Sequence, residues 1–180
     1  LEFRRVLFRS EINMKNFLLS FLLITSIGIS ASTTGVGLSM HNWGDVDSGY
    51  GDISFTMPTL NFTYENRMEN NLAFQAKVGF GLSEDSDKDD DGDGWDAEIK
   101  NTIQLKGMYF LNDSVYAAVT ATRYKVEIYS EYFDESASDS SNDFGFLFGY
   151  RKDDLELYVG PTYSKGDDGE VVEFGFNYFF

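Results

Sequence analysis

The chain has no cysteine, one histidine and two prolines in 180 residues. Without cysteine, disulfide staples, thiol nucleophiles and thiolate metal sites are all excluded. With proline confined to Pro58 and Pro161, nearly every residue can donate to a backbone ladder. Positive charge is also scarce: 14 Lys and Arg stand against 30 Asp and Glu, for a net charge of −16. A nucleic-acid partner is therefore excluded, because binding phosphates by counterion release needs a positive field. Mean hydropathy is slightly negative, unlike that of a helical membrane protein.

What the chain does have is aromatic residues, 17 Phe and 11 Tyr with 2 Trp, together with 17 Gly. The length suits one domain, and short strands separated by Gly-containing turns predict an all-β fold. The N-terminal part stands apart from this pattern. From Met14 the chain carries Lys15, an apolar stretch from Phe17 to Ile29, and the small residues Ser30, Ala31 and Ser32. That is the layout of a secretory signal peptide, and its apolar core is too short for a spanning helix. The expected organisation is a non-native extension at 1–13, a signal peptide at 14–32 and one folded domain at 33–180. Removing residues 1–32 takes away Arg4, Arg5, Arg9 and Lys15 against only Glu2 and Glu11, leaving the remainder more acidic still.

Residues 33–180 divide into eight segments of alternating character, each long enough for a transmembrane strand of about 9–11 residues. They are 34–43, 53–65, 71–82, 96–110, 114–128, 142–151, 154–164 and 170–180. The clearest is the third, where Leu72, Phe74, Ala76, Val78, Phe80 and Leu82 oppose Gln75, Lys77, Gly79 and Gly81. In the second, the apolar phase runs Ile53, Phe55, Met57 and resumes at Leu60, Phe62, Tyr64, which predicts a bulge at Pro58. In the fifth, Tyr116, Ala118, Thr120, Tyr124 and Ile128 form the expected outer face, with Arg123, Lys125 and Glu127 inside. The gaps 44–52, 83–95, 129–141 and 165–169 are acidic. The gaps near Asn66–Asn70, Leu111–Asp113 and Lys152–Asp153 are tight. Acidic loops alternating with short turns predict an eight-stranded antiparallel up-and-down transmembrane β-barrel with both termini in the periplasm. A soluble sandwich would need a polar outward face, whereas here one face is aromatic on nearly every segment.

The sequence ends EFGFNYFF. Glu173, Gly175, Tyr178 and Phe180 match, position by position, the C-terminal signal read by the outer-membrane assembly machinery. With the leader and the eight segments, the chain resembles the small OmpA/OmpX-like outer-membrane barrels. The resemblance implies residence in a Gram-negative outer membrane, contact with outer-membrane lipid and lipopolysaccharide, and a monomer, since a closed barrel has no free edges to pair.

Eight strands leave an interior just wide enough for side chains to fill. The expected inward charges are Lys77, Glu98, Lys100, Lys106, Arg123, Lys125, Glu127, Glu156 and Glu173, both signs together, which reads as a salt-bridged plug. In the second acidic gap, residues 87–98 match a calcium-loop template. Asp87, Asp89 and Asp91 would give side-chain oxygens, Gly92 the turn, Asp93 a carbonyl and Glu98 a bidentate carboxylate. The flanking strands and Gly94 at the eighth position depart from an EF-hand; a solvated acidic loop is the other reading. No further cofactor is expected. The expected function is non-catalytic, with acidic, calcium-ordered loops turned outward for surface integrity or adhesion. Two alternatives stay open: a small porin-like channel, and a lipid A-modifying enzyme in which His41, Asp85 and Ser86 would form an acyl-transfer site.

Overall fold

A computed structural model describes residues 31–47, 52–68, 70–88, 92–130, 135–164 and 170–180. The extension at 1–13 and most of the signal peptide lie outside the described residues; Ala31 and Ser32 already pair with Arg67 and Asn66. Nine strands follow in order: β1 (Ala31–Asp47), β2 (Asp52–Arg67), β3 (Leu72–Gly81), β4 (Glu84–Lys88), β5 (Gly94–Phe110), β6 (Val115–Ser130), β7 (Glu135–Lys152), β8 (Leu155–Ser164) and β9 (Glu170–Phe179). Every pairing is antiparallel, and β9 returns to β1 to close the ring. β3 and β4 occupy one position in the wall, because both pair with β5, β3 with its lower part and β4 with its upper part. The molecule is thus a closed eight-stranded up-and-down barrel.

Three tight turns and both ends of the described chain lie at one end of the barrel, the turn end. Local chemistry explains the turns. Asn70 and Asn71 take left-handed backbone conformations, with φ of 77° and 62°, which asparagine tolerates better than most residues. Asn112 Oδ1 accepts from the Ser114 and Val115 amides at 2.9 Å each, an Asx turn that starts β6. Asp153, with φ of 54°, turns β7 into β8.

The opposite end, the rim, departs from the sequence expectation. Much of the acidic gaps 44–52, 83–95 and 129–141 is strand rather than loop. β5, β6 and β7 run for 17, 16 and 18 residues, well past the 9–11 that a membrane crossing needs. The excess of about six residues lifts the wall by roughly 20 Å along each strand. Asp, Gly and Ser have low strand propensity, so propensity alone ends these strands too early.

The bulge expected at Pro58 is absent: β1 and β2 keep one register from Ala31↔Arg67 through Trp43↔Phe55. Ile53, Phe55 and Met57 therefore share the inward face with Thr59, Asn61, Thr63 and Glu65, while Leu60, Phe62 and Tyr64 face out. Pro58 is tolerated without a bulge because its carbonyl takes the Leu82 amide just where β3 ends. Its missing N–H faces that break. The real irregularities lie between Trp43 and Val46 on β1 and between Ile99 and Asn101 on β5. The fifth segment is inverted relative to expectation. Tyr116, Ala118, Thr120, Thr122 and Tyr124 are buried inside, and Arg123 and Lys125 are exposed outside.

Candidate functional site

The inward faces build three layers. Nearest the turn end, Ala73, Met108, Phe110, Tyr116, Ala118, Leu147 and Tyr158 form a small apolar cluster. Nearest the rim, Trp43, Ile53, Phe55, Met57, Trp95, Ala97, Ile99, Tyr124 and Val171 form a larger one, with Val126 and Ile128 packed against it. Between and around them runs a belt of ionic and polar side chains.

Three carboxylates organise the belt, each held by several donors. Glu65 accepts from Arg151 Nη1 at 2.5 Å, Gln75 Nε2 at 2.7 Å and Arg67 Nε at 2.9 Å. Glu156 takes the Tyr116 hydroxyl at 2.6 Å, Asn177 Nδ2 at 2.5 Å, Gln75 Nε2 at 3.0 Å and Lys106 Nζ at 3.3 Å. Glu173 is paired with Lys77 and also accepts from Gln104 Nε2 at 2.7 Å. Lys77 donates in turn to the Tyr158 hydroxyl at 2.9 Å and Ser39 Oγ at 3.3 Å. Arg151 lies 3.6 Å above the Phe179 ring. Buried charges are tolerated only when paired and hydrogen-bonded, and these are.

Glycine makes room for two of the tyrosines in this belt. A Cβ at Gly149 would collide with the Tyr116 ring, and one at Gly175 with the Tyr158 hydroxyl. Gly175 and Glu173 belong to the proposed assembly signal, and the barrel uses both internally. Tyr178 and Phe180 of that signal face outward, 51% and 73% exposed. They join an outer belt that includes Phe62, Phe80, Phe146, Phe148, Phe174 and Tyr109.

Of the expected inward charges, Lys77, Lys106, Glu156 and Glu173 are inside, whereas Glu98, Lys100, Arg123, Lys125 and Glu127 are on the outer surface. Lys100 bridges Glu98 at 2.6 Å and Glu127 at 3.2 Å, on the outside of the rim. Those two carboxylates hold the ammonium above its usual pKa. Sequence reading missed Glu65 and Arg151 because each is placed at the margin of its segment. Tyr116 and Tyr124 are buried, whereas aromatic residues in an alternating segment predict an outward face.

The calcium-loop residues are only partly brought together. Asp89 and Asp91 lie outside the described residues. Asp87 is in β4 opposite Trp95, and Glu98 is opposite Glu84, three residues further along the hairpin. Asp87 and Glu98 are thus roughly 10 Å apart along the strands. Glu98 is engaged by Lys100, and Asp87 accepts from the Ser54 amide at 2.7 Å. Among the described residues no three His, Asp or Glu side chains cluster as metal ligands.

The His41–Asp85–Ser86 trio is not assembled. His41 is buried inside, its ring nitrogens engaged by Thr59 Oγ1 at 3.1 Å and the Tyr124 hydroxyl at 3.3 Å. Ser86 is exposed and pairs with Asp96 on the opposite face of the wall, and Asp85 takes the Thr56 amide at 2.6 Å.

A closed eight-stranded ring with a polar interior and an aromatic belt outside is the architecture of the small outer-membrane barrels. Solved structures of that class align over most of this chain. Ail, the attachment invasion locus protein of Yersinia pestis, is 17% identical with a TM-score of 0.55, covering 83% of this chain and 97% of Ail. Ail in complex with the heparin analogue sucrose octasulfate gives the same identity and coverage, with a TM-score of 0.52. Neisserial surface protein A (NspA) is 13% identical with a TM-score of 0.50, covering 83% of this chain and 97% of NspA. No family model matches the sequence, and no curated protein matches it.

Proposed function

We propose that this is a non-catalytic protein of the bacterial outer membrane, anchored by its barrel, that presents the acidic rim outward for envelope integrity or adhesion. The observation that carries this reading is the filled interior. Three ion-paired carboxylates and an apolar layer at the rim leave the barrel serving as a rigid peg rather than a conduit. The strand-built rim is then the part available for partners. The attachment function in the name of Ail belongs to that protein and lends the adhesion reading its direction. On this reading the turn end faces the periplasm, outer-membrane lipid and lipopolysaccharide surround the aromatic belt, and β9 is the strand offered to the assembly machinery. The chain works as a monomer.

The test is expression in a non-adherent Gram-negative host. The protein is expected in the outer-membrane fraction, with surface attachment raised over a vector control and no unitary conductance in planar bilayers. Discrete conductance steps from pure refolded protein would replace this reading with the small channel. Fractionation away from the outer membrane would remove it altogether. Calcium at the hairpin tip is a separate part of the proposal. It rests on the oxygen-rich sequence spacing of Asp89, Asp91 and Asp93, since Glu98 is taken by Lys100 and Asp87 by the Ser54 amide. Calorimetric titration of refolded protein with calcium chloride checks it, and absence of saturable heat at millimolar calcium would dismiss it.

A further inference from the structure

Cations are unevenly placed among the described residues. Lys77, Lys106 and Arg151 are inside, Arg67 and Lys152 lie at the turn end, and Lys88 ends β4 near the hairpin tip. The outer wall between those ends carries Lys100, Arg123 and Lys125, all exposed and all on the adjacent strands β5 and β6. Counted up from Val115, Arg123 is the ninth residue of β6 and Lys125 the eleventh. A strand of about 9–11 residues completes a membrane crossing at just that height. The register agrees: Arg123 stands opposite Ile103, an exposed residue of the outer apolar belt, and Lys125 stands opposite Asn101. Two residues below Arg123, Ala121 lies between Leu105 and Phe144, so the belt is low there and apolar on both sides.

We propose that Arg123 and Lys125 hold the phosphate of an outer-leaflet glycolipid, the lipid A part of lipopolysaccharide, with an acyl chain laid over Ala121 between Leu105 and Phe144. The inference rests on the orientation proposed above, with the rim outward. Among the described residues no carboxylate pairs with Arg123 or Lys125. In a chain of net charge −16 they form a local positive field where the apolar belt gives way to the acidic rim. Arg123 can give a phosphate two parallel N–H bonds, and Lys125 adds a point charge about 7 Å further along the strand. Lys100 has a different part. It sits at the irregularity between Ile99 and Asn101, which sets it on the outer face, where it bridges Glu98 and Glu127. Those carboxylates stand next to the site and would repel a phosphate if Lys100 did not neutralise them. The apolar flank commits the site to a phosphate carried on a lipid. A dissolved phosphate or a sulfated sugar gains nothing from Ile103 and Phe144.

The experiment is native mass spectrometry of the protein refolded in a neutral detergent and titrated with lipid A, reading the fraction of barrels that retain lipid. Each variant is first shown to be folded by its heat-dependent migration on an SDS gel. Lipid A is expected to be retained, and its dephosphorylated form to bind about tenfold more weakly or worse, the factor set by charge-assisted bonds. Arg123→Gln/Lys125→Gln should bring lipid A down to the level of the dephosphorylated form. Arg123→Lys/Lys125→Arg keeps both charges and should keep most of the binding. Lys152→Gln, at the turn end, should behave as the unaltered protein. Equal retention of lipid A by the Gln double variant, equal retention of the dephosphorylated lipid, or displacement by inorganic phosphate would each overturn the site while leaving outer-membrane residence standing. If Lys152→Gln weakened retention and the β6 pair did not, the orientation would be inverted, and the proposed function would fall with the site.

Discussion

The two halves of the barrel solve the same packing problem with opposite faces. Toward the turn end β2 points its apolar side chains out and its polar ones in: Leu60, Phe62 and Tyr64 are exposed while Asn61, Thr63 and Glu65 are buried. At the rim, the same strand without any change of register buries Ile53, Phe55 and Met57 and turns Ser54 outward. The lower half is built for an apolar surrounding, the rim for an aqueous one. A strand passing from one solvent to the other must exchange the character of its two faces, and β2 does so at Pro58 by a change in residue type alone.

Removing one member of the ionic belt should break the lower half most severely. Glu156→Ala leaves Lys106, Asn177, Gln75 and the Tyr116 hydroxyl facing a void, and a cost of about 4 kcal/mol is expected from unpairing a buried charge. Urea unfolding of the refolded barrel in detergent measures it. The equivalent insult to the rim is Phe55→Ala. It creates a cavity in the apolar layer and should cost about 3 kcal/mol. If Phe55→Ala proved harmless while Phe62→Ala were severe, the assignment of faces in β2 would be reversed.

A third variant sharpens the belt itself. Gly149→Ala drives the Tyr116 ring from its place and strains its bond to Glu156, with about 1–3 kcal/mol lost to overpacking. A smaller drop in the same urea midpoint than for Glu156→Ala is expected. The smallest effect belongs to the outer ion pairs at the rim. Lys100→Gln removes its bridges to Glu98 and Glu127, both solvent-screened, and should leave the urea midpoint unchanged.

The sequence carries the ring of eight strands plainly, because outward apolar residues alternate with inward polar ones along most of the wall. Leu72 to Leu82 could hardly be read otherwise. It also carries Lys77, Lys106, Glu156 and Glu173 as inward charges. It misleads at the rim, where Ile53, Phe55 and Met57 look like lipid-facing residues out of phase and suggest a bulge. The period-2 signal tells which residues share a face but not which solvent that face meets. β6 was ambiguous for a related reason. Its outer face runs Ala117, Val119 and Ala121 before Arg123 and Lys125, so the larger Tyr116 and Tyr124 read as the outward set. The acidic strands of the rim were hidden by propensity. The contacts of Asp85 and Asp87 are invisible for another reason, since nothing in the sequence says that they will face the Thr56 and Ser54 amides.

The joint between β1 and β9 has a consequence for how such a molecule can form. Phe180 donates its amide to the Thr34 carbonyl, and Thr33 Oγ1 donates to the Phe180 carbonyl across a separation of 147 residues. Bringing such distant segments together costs loop-closure entropy that no neighbouring hairpin has to meet, so this joint belongs among the last to form. Until it does, the chain exposes two open strand edges and an unsealed row of charges. The time between delivery of β1 and arrival of β9 is when the chain is most exposed to mispairing and proteolysis.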